Sequence, residues 1–178
     1  AILKVYGSET SQFVTDEGIQ IFGGMGFSKD TPMEAAWRDA RITRIYEGTN
    51  EINRLLTIGM LLKKAMNGTI DLITPAMEVG NSLVGIPSFD IPDYSERLSE
   101  EKAMIAKLKK AFLMIAGKAV QTYGMDLENH QQLVLAAAEV MIEIYMSESA
   151  ILKADKLAKM TSDKEAEGQI TMDKLSLY

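Results

Sequence analysis

The sequence predicts an all-α protein. Apolar residues recur at steps of three, four and seven, which is the spacing of one face of an α-helix. No run of alternating β-branched and polar residues with hairpin turns stands out, so strand signals are weak throughout. The chain has 178 residues, 47% of them hydrophobic and 25% charged, which excludes intrinsic disorder and is enough for one globular domain or two small ones.

Composition also restricts the chemistry. Zero cysteines exclude disulfides, thiolate metal sites and cysteine nucleophiles. The one histidine, His130, excludes a multi-histidine metal site, and its place at a helix entry favours a turn or capping role over catalysis, so no metal is predicted. A formal net charge of −6 argues against nucleic acid as a partner, because phosphate binding needs a basic face.

Charge and proline content divide the chain into three predicted parts. Residues 1–66 carry 8 basic and 8 acidic residues, whereas residues 67–178 carry 11 and 17. Three of the four prolines lie between residues 67 and 99, so we predict a Pro/Gly linker over 67–98 with one short helix near Asp71–Val79. The chain begins without methionine and already in a helical pattern, which we interpret as the start of a piece of a longer protein.

The first part is predicted to contain three helices. The first runs to Phe22 and ends at the following glycines, and Thr31-Pro32 predicts the entry of the second, with threonine as the cap. The third begins at Thr49 and fades near Asn67-Gly68. Its predicted buried stripe is Ile52, Leu55, Leu56, Gly59 and Leu62.

Residues 99–178 are predicted to form a helical hairpin domain. The first helix is capped by Ser99 and ends at Gly124, and the second runs from about Leu127 to Met160. The short connection from Tyr123 to His130 makes the two helices antiparallel. Their predicted stripes are Leu98, Ile105, Leu108, Phe112, Ile115 and Ala119, then Leu133, Ala137, Val140, Ile144, Ile151 and Ala158.

Two segments of the first part carry candidate chemistry, and each has a structural alternative. The glycines of Gln20-Ile-Phe-Gly-Gly-Met-Gly-Phe27 allow a ligand phosphate close to the backbone, but a glycine C-cap also explains them. Glu47 lies at a tight turn before Thr49 and becomes a general base if an apolar pocket encloses it. Its alternative is a glutamate that favours a helix N-terminus.

A resemblance sharpens these hypotheses. The Gln20–Phe27 segment, followed by Trp37-Arg-Asp-Ala-Arg41 and Ile45-Tyr-Glu-Gly-Thr-Asn-Glu-Ile52, resembles the C-terminal helical bundle of the flavin-dependent acyl-CoA dehydrogenases. The resemblance covers about residues 1–66. The remainder is similar in length and helical pattern to the extra C-terminal domain of the very-long-chain branch.

The resemblance implies roles for specific residues. Glu47 matches the base that removes the α-proton of an acyl-CoA thioester while a hydride leaves for FAD, and Gly48 would lie against the substrate. One donor to the thioester oxygen would be the main-chain amide of the base. The predicted FAD-binding residues are Gln20, Ile21, Phe22, Gly23 and Gly24, which contact the adenosine diphosphate part of a flavin bound mainly by the neighbouring subunit, and Thr49, Asn50 and Glu51 near the base.

The resemblance also implies partners. An electron-transfer flavoprotein would accept the electrons, and a homodimer or homotetramer would share the flavin site between subunits. The compartment would be the bacterial cytoplasm or the mitochondrial matrix. The pieces that supply most flavin and CoA contacts lie outside this sequence, so the chain alone is expected to be inactive.

Several interpretations stay open. Arg38, Arg41, Arg44 and Arg54 are candidates for phosphate contacts, with pairing to Asp39, Glu34 and Glu51 as the alternative. The apolar residues Ile86, Phe89 and Ile91 of the linker leave room for a membrane contact, against which the acidic charge speaks. A non-catalytic helical interaction or oligomerisation module that keeps the motif as structure is the alternative function.

Overall fold

The structure is a computed structural model that describes residues 1–82, 98–160, 167–168 and 170–171. Every regular element in these residues is helical, which confirms the all-α prediction. The elements in chain order are α1 (Ile2–Phe22), α2 (Gly24–Phe27), α3 (Met33–Thr43), α4 (Asn50–Met66), α5 (Ile73–Ser82), α6 (Ser99–Tyr123), a 3-10 helix (Gly124–Asn129) and α7 (Gln131–Met160).

The chain divides into two compact units. The first contains Ala1–Lys63 and Gln131–Ala138, and the second contains Lys64–His130 and the chain from Glu139 onward. The division into 1–66, 67–98 and 99–178 stays a prediction. Residues 83–97, which include Ile86, Phe89 and Ile91 of the predicted linker, lie outside the described residues.

In the first unit, α1 packs against α2 and α3. Val5 of α1 and Ala40 of α3 are buried, and the Trp37 indole Nε1 of α3 donates to Asp16 Oδ1 of α1 at 3.0 Å. Helix α1 ends as predicted at Gly23, whose φ of 60° suits a residue without a Cβ.

The predicted cap of α3 is wrong. Thr31 donates its hydroxyl to the carbonyl oxygen of Met25 at 2.7 Å, which ties the entry of α3 to α2. Helix α3 therefore begins without a side-chain hydrogen bond to its first turn.

The predicted buried stripe of α4 is also wrong. Ile52 and Leu56 are exposed, and the buried residues of this helix are Asn50, Asn53, Thr57 and Ile58. The face of α4 that is buried in this chain is therefore mainly polar. The polar groups on that face need hydrogen-bond partners, and these partners define the candidate site.

In the second unit, α6 and α7 run antiparallel as predicted. Lys109 pairs with Glu148, and Lys102 pairs with Asp155 at 3.8 Å, so seven residues forward along α6 correspond to seven back along α7. The buried core between them is Leu98, Ile105, Ile144, Ile151 and Ala154, with Phe112 and Ile170 packed on it.

Other stripe and cap predictions for this hairpin need correction. Leu108, Ile115 and Val140 are exposed. Ser99 is the first residue of α6 and provides no cap, whereas Gly124 does end the helix. Helix α7 begins later than predicted, at Gln131, because Gly124–Asn129 forms a 3-10 helix and His130 follows it.

The turn role of His130 is confirmed. Its backbone N–H donates to the Leu127 carbonyl oxygen at 3.1 Å, and its Nε2 lies 3.2 Å from Asp126 Oδ2. Its ring lies against Tyr123 with centroids 4.0 Å apart.

The short helix predicted near Asp71–Val79 is present as α5. Its start is capped by Asp71, whose Oδ1 accepts from the Thr74 amide at 3.0 Å. Helix α5 packs against α6, where Gly117 faces the Ala76 methyl group. Among the described helices, none is both long and apolar enough to cross a membrane.

Candidate functional site

The predicted base Glu47 lies in the loop between α3 and α4, and its side chain is exposed. Its backbone is left-handed, with φ of 55° at Glu47 and 82° at Gly48. A left-handed conformation costs a residue with a Cβ about 1 kcal/mol or more. Bonds elsewhere must therefore hold this turn. The enclosing apolar pocket that the sequence argument requires is not formed by the described residues.

The side-chain amide of Asn53 holds the carbonyl side of the turn. Its Nδ2 lies 2.8 Å from the Gly48 oxygen, 3.1 Å from the Thr49 oxygen and 3.4 Å from the Glu47 oxygen. The amide has two hydrogens, so the two shorter contacts are the stronger bonds. Asn53 is buried, which limits competition from water.

Helix α1 holds the same turn from another direction. Lys4 Nζ donates to the Gly48 oxygen and to Asn50 Oδ1, both at 2.8 Å. Asn50 is 0% exposed, and its Nδ2 donates to Ser8 Oγ at 2.9 Å and to Glu9 Oε1 at 3.1 Å. Both polar atoms of the buried Asn50 side chain thus have partners on α1.

A bidentate ion pair completes the link between α1 and α4. Arg54 donates from its two terminal nitrogens to Glu9 Oε1 and Oε2 at 3.0 and 2.9 Å, and Arg44 lies 3.8 Å from the same carboxylate. Burial raises the pKa of Glu9, but hydrogen bonds from Arg54 and Asn50 and the charges of Arg54 and Arg44 outweigh it. The pKa of Glu9 therefore lies below its ordinary value of 4.5.

The first turn of α4 is capped as predicted. Thr49 Oγ1 accepts from the Ile52 amide at 3.3 Å. Glu51 is exposed, and hydrogen bonds from its own backbone amide and from the Thr49 hydroxyl lower its pKa. Asn50 differs from Thr49 and Glu51, because its side chain is fully buried and so cannot contact a flavin directly.

The three glycines of the Gln20–Phe27 segment have different surroundings. Gly23 ends α1 with a positive φ, and Gly26 is buried, where a Cβ would lie 2.8 Å from the Ile19 carbonyl oxygen. A Cβ on Gly24 would meet no atom within 4 Å, and Gly24 lacks a positive φ. Backbone conformation therefore explains the glycine at position 23, and packing explains the one at position 26. Neither explains why position 24 is a glycine in the described part of the chain.

The side chains around these glycines leave a large apolar surface uncovered in this chain. Ile21 is 81% exposed and Phe27 is 78% exposed. Gln20, Phe22, Gly23, Gly24 and Met25 are exposed as well.

The structure does not bring the two groups of predicted site residues together. The Glu47 turn contacts α1 at Lys4, whereas Gln20 lies near the opposite end of α1. At 1.5 Å per residue, the separation along the helix is roughly 20 Å.

The arginine predictions have mixed outcomes. Arg38 pairs with Glu34, as the structural alternative predicted. Arg44 and Arg54 pair with Glu9, a partner that was not predicted from the sequence, and Arg41 is exposed.

Sequence reasoning missed the residues that hold the turn, namely Lys4, Ser8, Glu9 and Asn53. The available signal was the spacing of Lys4 and Ser8, which are four residues apart and so share a face of an otherwise apolar helix start.

Two family models match the chain, and both are described as acyl-CoA dehydrogenase, C-terminal domain. One matches residues 1–62, which include the whole candidate site, and the other matches residues 107–177. A probable acyl-CoA dehydrogenase from Bacillus subtilis (strain 168) is 39% identical over 167 residues, or 92% of this chain. An acyl-CoA dehydrogenase from Bacillus anthracis, solved in complex with FAD, superposes with a TM-score of 0.93 over 98% of this chain at 36% identity.

The chain belongs to the acyl-CoA dehydrogenase family. The similarity extends to a mitochondrial very-long-chain specific acyl-CoA dehydrogenase from Rattus norvegicus, 47% identical over 83 residues, which are 47% of this chain and 12% of that relative. The chain spans 27% of the length of the Bacillus subtilis relative and 30% of the Bacillus anthracis chain.

The ion pair between Glu9 and Arg54 predicts a pH-dependent contribution to stability. Because the pKa of Glu9 is lowered by folding, its contribution is present above pH 4.5 and is lost as pH falls through the folded-state pKa. We expect Glu9→Gln to lower the free energy of unfolding by about 1 kcal/mol near pH 7. This deficit should shrink in acid. Denaturant unfolding from about pH 7 to about pH 3 measures it.

Glu17→Gln is the matched control, because Glu17 lies on the same helix with its side chain exposed. It should change stability little at any pH. A deficit in Glu9→Gln that stays constant or grows in acid would contradict the assignment.

Proposed function

We propose that this chain supplies the catalytic base of an acyl-CoA dehydrogenase, with Glu47 removing the α-proton of a fatty acyl-CoA thioester. The observation that carries the proposal is that the carbonyl oxygens of one turn are hydrogen-bonded within the chain, whereas the backbone amide of Glu47 in the same turn is not. The carbonyl oxygens of Glu47, Gly48 and Thr49 are engaged by Asn53, and Lys4 also bonds that of Gly48. Within the described residues, the Glu47 amide donates to no acceptor. Glu47 therefore has both an exposed carboxylate and a backbone N–H that is available to a ligand.

That combination suits proton removal next to a thioester. The α-proton is only weakly acidic, so the base must be fixed within hydrogen-bond reach, and the charge that develops on the thioester oxygen needs a donor. The Glu47 amide would donate to that oxygen. The turn itself favours glycine at position 48, where φ is 82° and a Cβ would lie 3.1 Å from Asn53 Nδ2. The missing side chain would also let the substrate lie against the backbone. Other parts of the holoenzyme would exclude water from the exposed carboxylate.

The described residues fit an FAD cofactor at two places. Gly24 leaves bare backbone where none of the described residues requires it, which suits close approach by the adenosine diphosphate part. Gln20, Ile21, Phe22 and Gly23 would complete that contact, while Thr49 and Glu51 would face the flavin near the base. Asn50 would act through the turn, since its side chain is buried. When bound, FAD would supply the acceptor for the β-hydrogen.

The separation of roughly 20 Å along α1 supports a flavin site shared between subunits. The start of α1, at Lys4, would support the active site of its own subunit. The end of α1, at Gln20, would contact a flavin bound by the neighbouring subunit. We propose a homodimer or homotetramer with an electron-transfer flavoprotein as electron acceptor, in the cytoplasm of a bacterium or the mitochondrial matrix. The exposed Ile21 and Phe27 support a covering partner at this end.

Glu47→Gln tests the base. The amide keeps the shape of the side chain but cannot accept the α-proton, so flavin reduction by acyl-CoA should fall about 10³-fold while FAD stays bound. Anaerobic bleaching of the flavin absorbance by acyl-CoA thioesters from butyryl to palmitoyl measures the rate.

Glu17→Gln controls for the loss of a carboxylate elsewhere and should bleach at the wild-type rate. Bleaching of Glu47→Gln at an unchanged rate would remove Glu47 from its role. Failure of the wild-type holoenzyme to bleach with any thioester would favour a non-catalytic interaction module.

Gly24→Ala tests the cofactor contact. The methyl group would meet none of the described residues, so the variant should keep its thermal stability but bind FAD about tenfold more weakly, since one obstructed contact costs roughly 1.4 kcal/mol. Titration of the apoprotein with FAD measures the affinity. Gly7→Ala is the matched control, because Gly7 is also an exposed helical glycine with open space around it. Equal FAD affinities for the two variants would contradict the assignment.

A further inference from the structure

We propose that Asn53 and Lys4 are positioning residues for Glu47. This inference rests on the proposed function, because it concerns the geometry of the same base. Neither side chain is assigned a contact with substrate or cofactor. Both act on the backbone of the turn that carries Glu47, so they determine where its carboxylate and its amide point.

Asn53 acts by gathering carbonyl oxygens that would otherwise repel one another. Three successive carbonyl oxygens, those of Glu47, Gly48 and Thr49, lie within 3.4 Å of its Nδ2. Without the Asn53 amide, these oxygens, which carry partial negative charges, would repel one another and lack a hydrogen-bond donor. A peptide of the turn would then rotate to separate them. The positive φ of Glu47 would then revert toward the common backbone regions, and its amide would turn away.

Lys4 acts by tying the turn to α1. Its ammonium donates to the Gly48 oxygen and to Asn50 Oδ1, and in the described part of the chain it forms no ion pair with a carboxylate. Its contacts thus go to neutral oxygens that define the turn rather than to a charge partner. Because α1 is 21 residues long, these bonds hold the turn to a rigid element.

The two donors share one acceptor. The Gly48 oxygen accepts from Lys4 Nζ and from Asn53 Nδ2, each at 2.8 Å. A carbonyl oxygen has two lone pairs, so both bonds form together. The peptide between Gly48 and Thr49 is therefore fixed from two elements. Together with the longer contact from Asn53 to the Glu47 oxygen, this restrains the turn that orients the Glu47 amide, and that amide stays free to donate.

The test uses Lys4→Met and Asn53→Leu in the holoenzyme, because each substitution keeps side-chain volume and removes the donors. Stopped-flow flavin reduction by palmitoyl-CoA and butyryl-CoA gives the rate of the chemical step, and the α-dideuterated thioesters give its isotope effect. The rate should fall about 10- to 100-fold with an undiminished isotope effect, since a displaced base slows proton removal. FAD content and thioester affinity should stay within about twofold, the thermal midpoint should fall by only a few degrees, and Lys4→Arg should recover most of the rate.

Lys63→Met is the matched control, because Lys63 is exposed and lies outside the candidate site. Wild-type rates in both Lys4→Met and Asn53→Leu would overturn the proposal. A loss of FAD in proportion to the lost rate, or a holoenzyme that is partly unfolded at the assay temperature, would overturn it too, by making both residues purely structural. If Glu47→Gln also reduces its flavin at the wild-type rate, the proposed base fails. If Lys4→Met and Asn53→Leu reduce their flavin at the wild-type rate but Glu47→Gln does not, only the positioning role fails and Glu47 remains the proposed base.

Discussion

The candidate site depends on hydrogen bonds between the start of α1 and the start of α4. Apolar packing is not directional, whereas each bond to Asn50, Gly48 or Glu9 fixes a distance and an angle. Asn50 is 0% exposed, and a buried amide without partners costs about 1–3 kcal/mol, so the arrangement that satisfies it is strongly favoured over its alternatives. The left-handed turn at Glu47 is maintained by this requirement.

The polar face of α4 shows where sequence reasoning succeeded and where it failed. The start of the helix was predictable, because Thr49 has a side chain suited to capping and does cap the first turn. Its buried face was not, because the apolar residues Ile52 and Leu56 formed the obvious stripe yet are exposed in this chain. Hydrophobic periodicity identifies a face that some surface will bury, but it does not say whether the same chain supplies that surface.

In the rest of the chain, local sequence patterns also predicted some helix ends and pairings but not the contacts between distant residues. Gly124 could be predicted to end α6 because a positive φ suits glycine, and the antiparallel pairing of α6 with α7 followed from a short connection. Ser99 could not be excluded as a cap from its residue type alone, since capping depends on where the chain enters the helix. The contacts of Glu9 with Arg54 join residues 45 positions apart, a distance at which sequence spacing carries no geometric information.

A crystal structure of the holoenzyme with a non-reacting acyl-CoA thioester analogue would show whether donors from α1 and α4 fix the turn so that Glu47 faces the substrate. We expect a positive φ at Glu47, with Lys4 and Asn53 bonded to the Gly48 oxygen. The Glu47 carboxylate should lie about 3–3.5 Å from the α-carbon, with its amide about 3 Å from the thioester oxygen. An extended backbone at Glu47, or a thioester bound away from this turn, would show that these donors do not position a catalytic base.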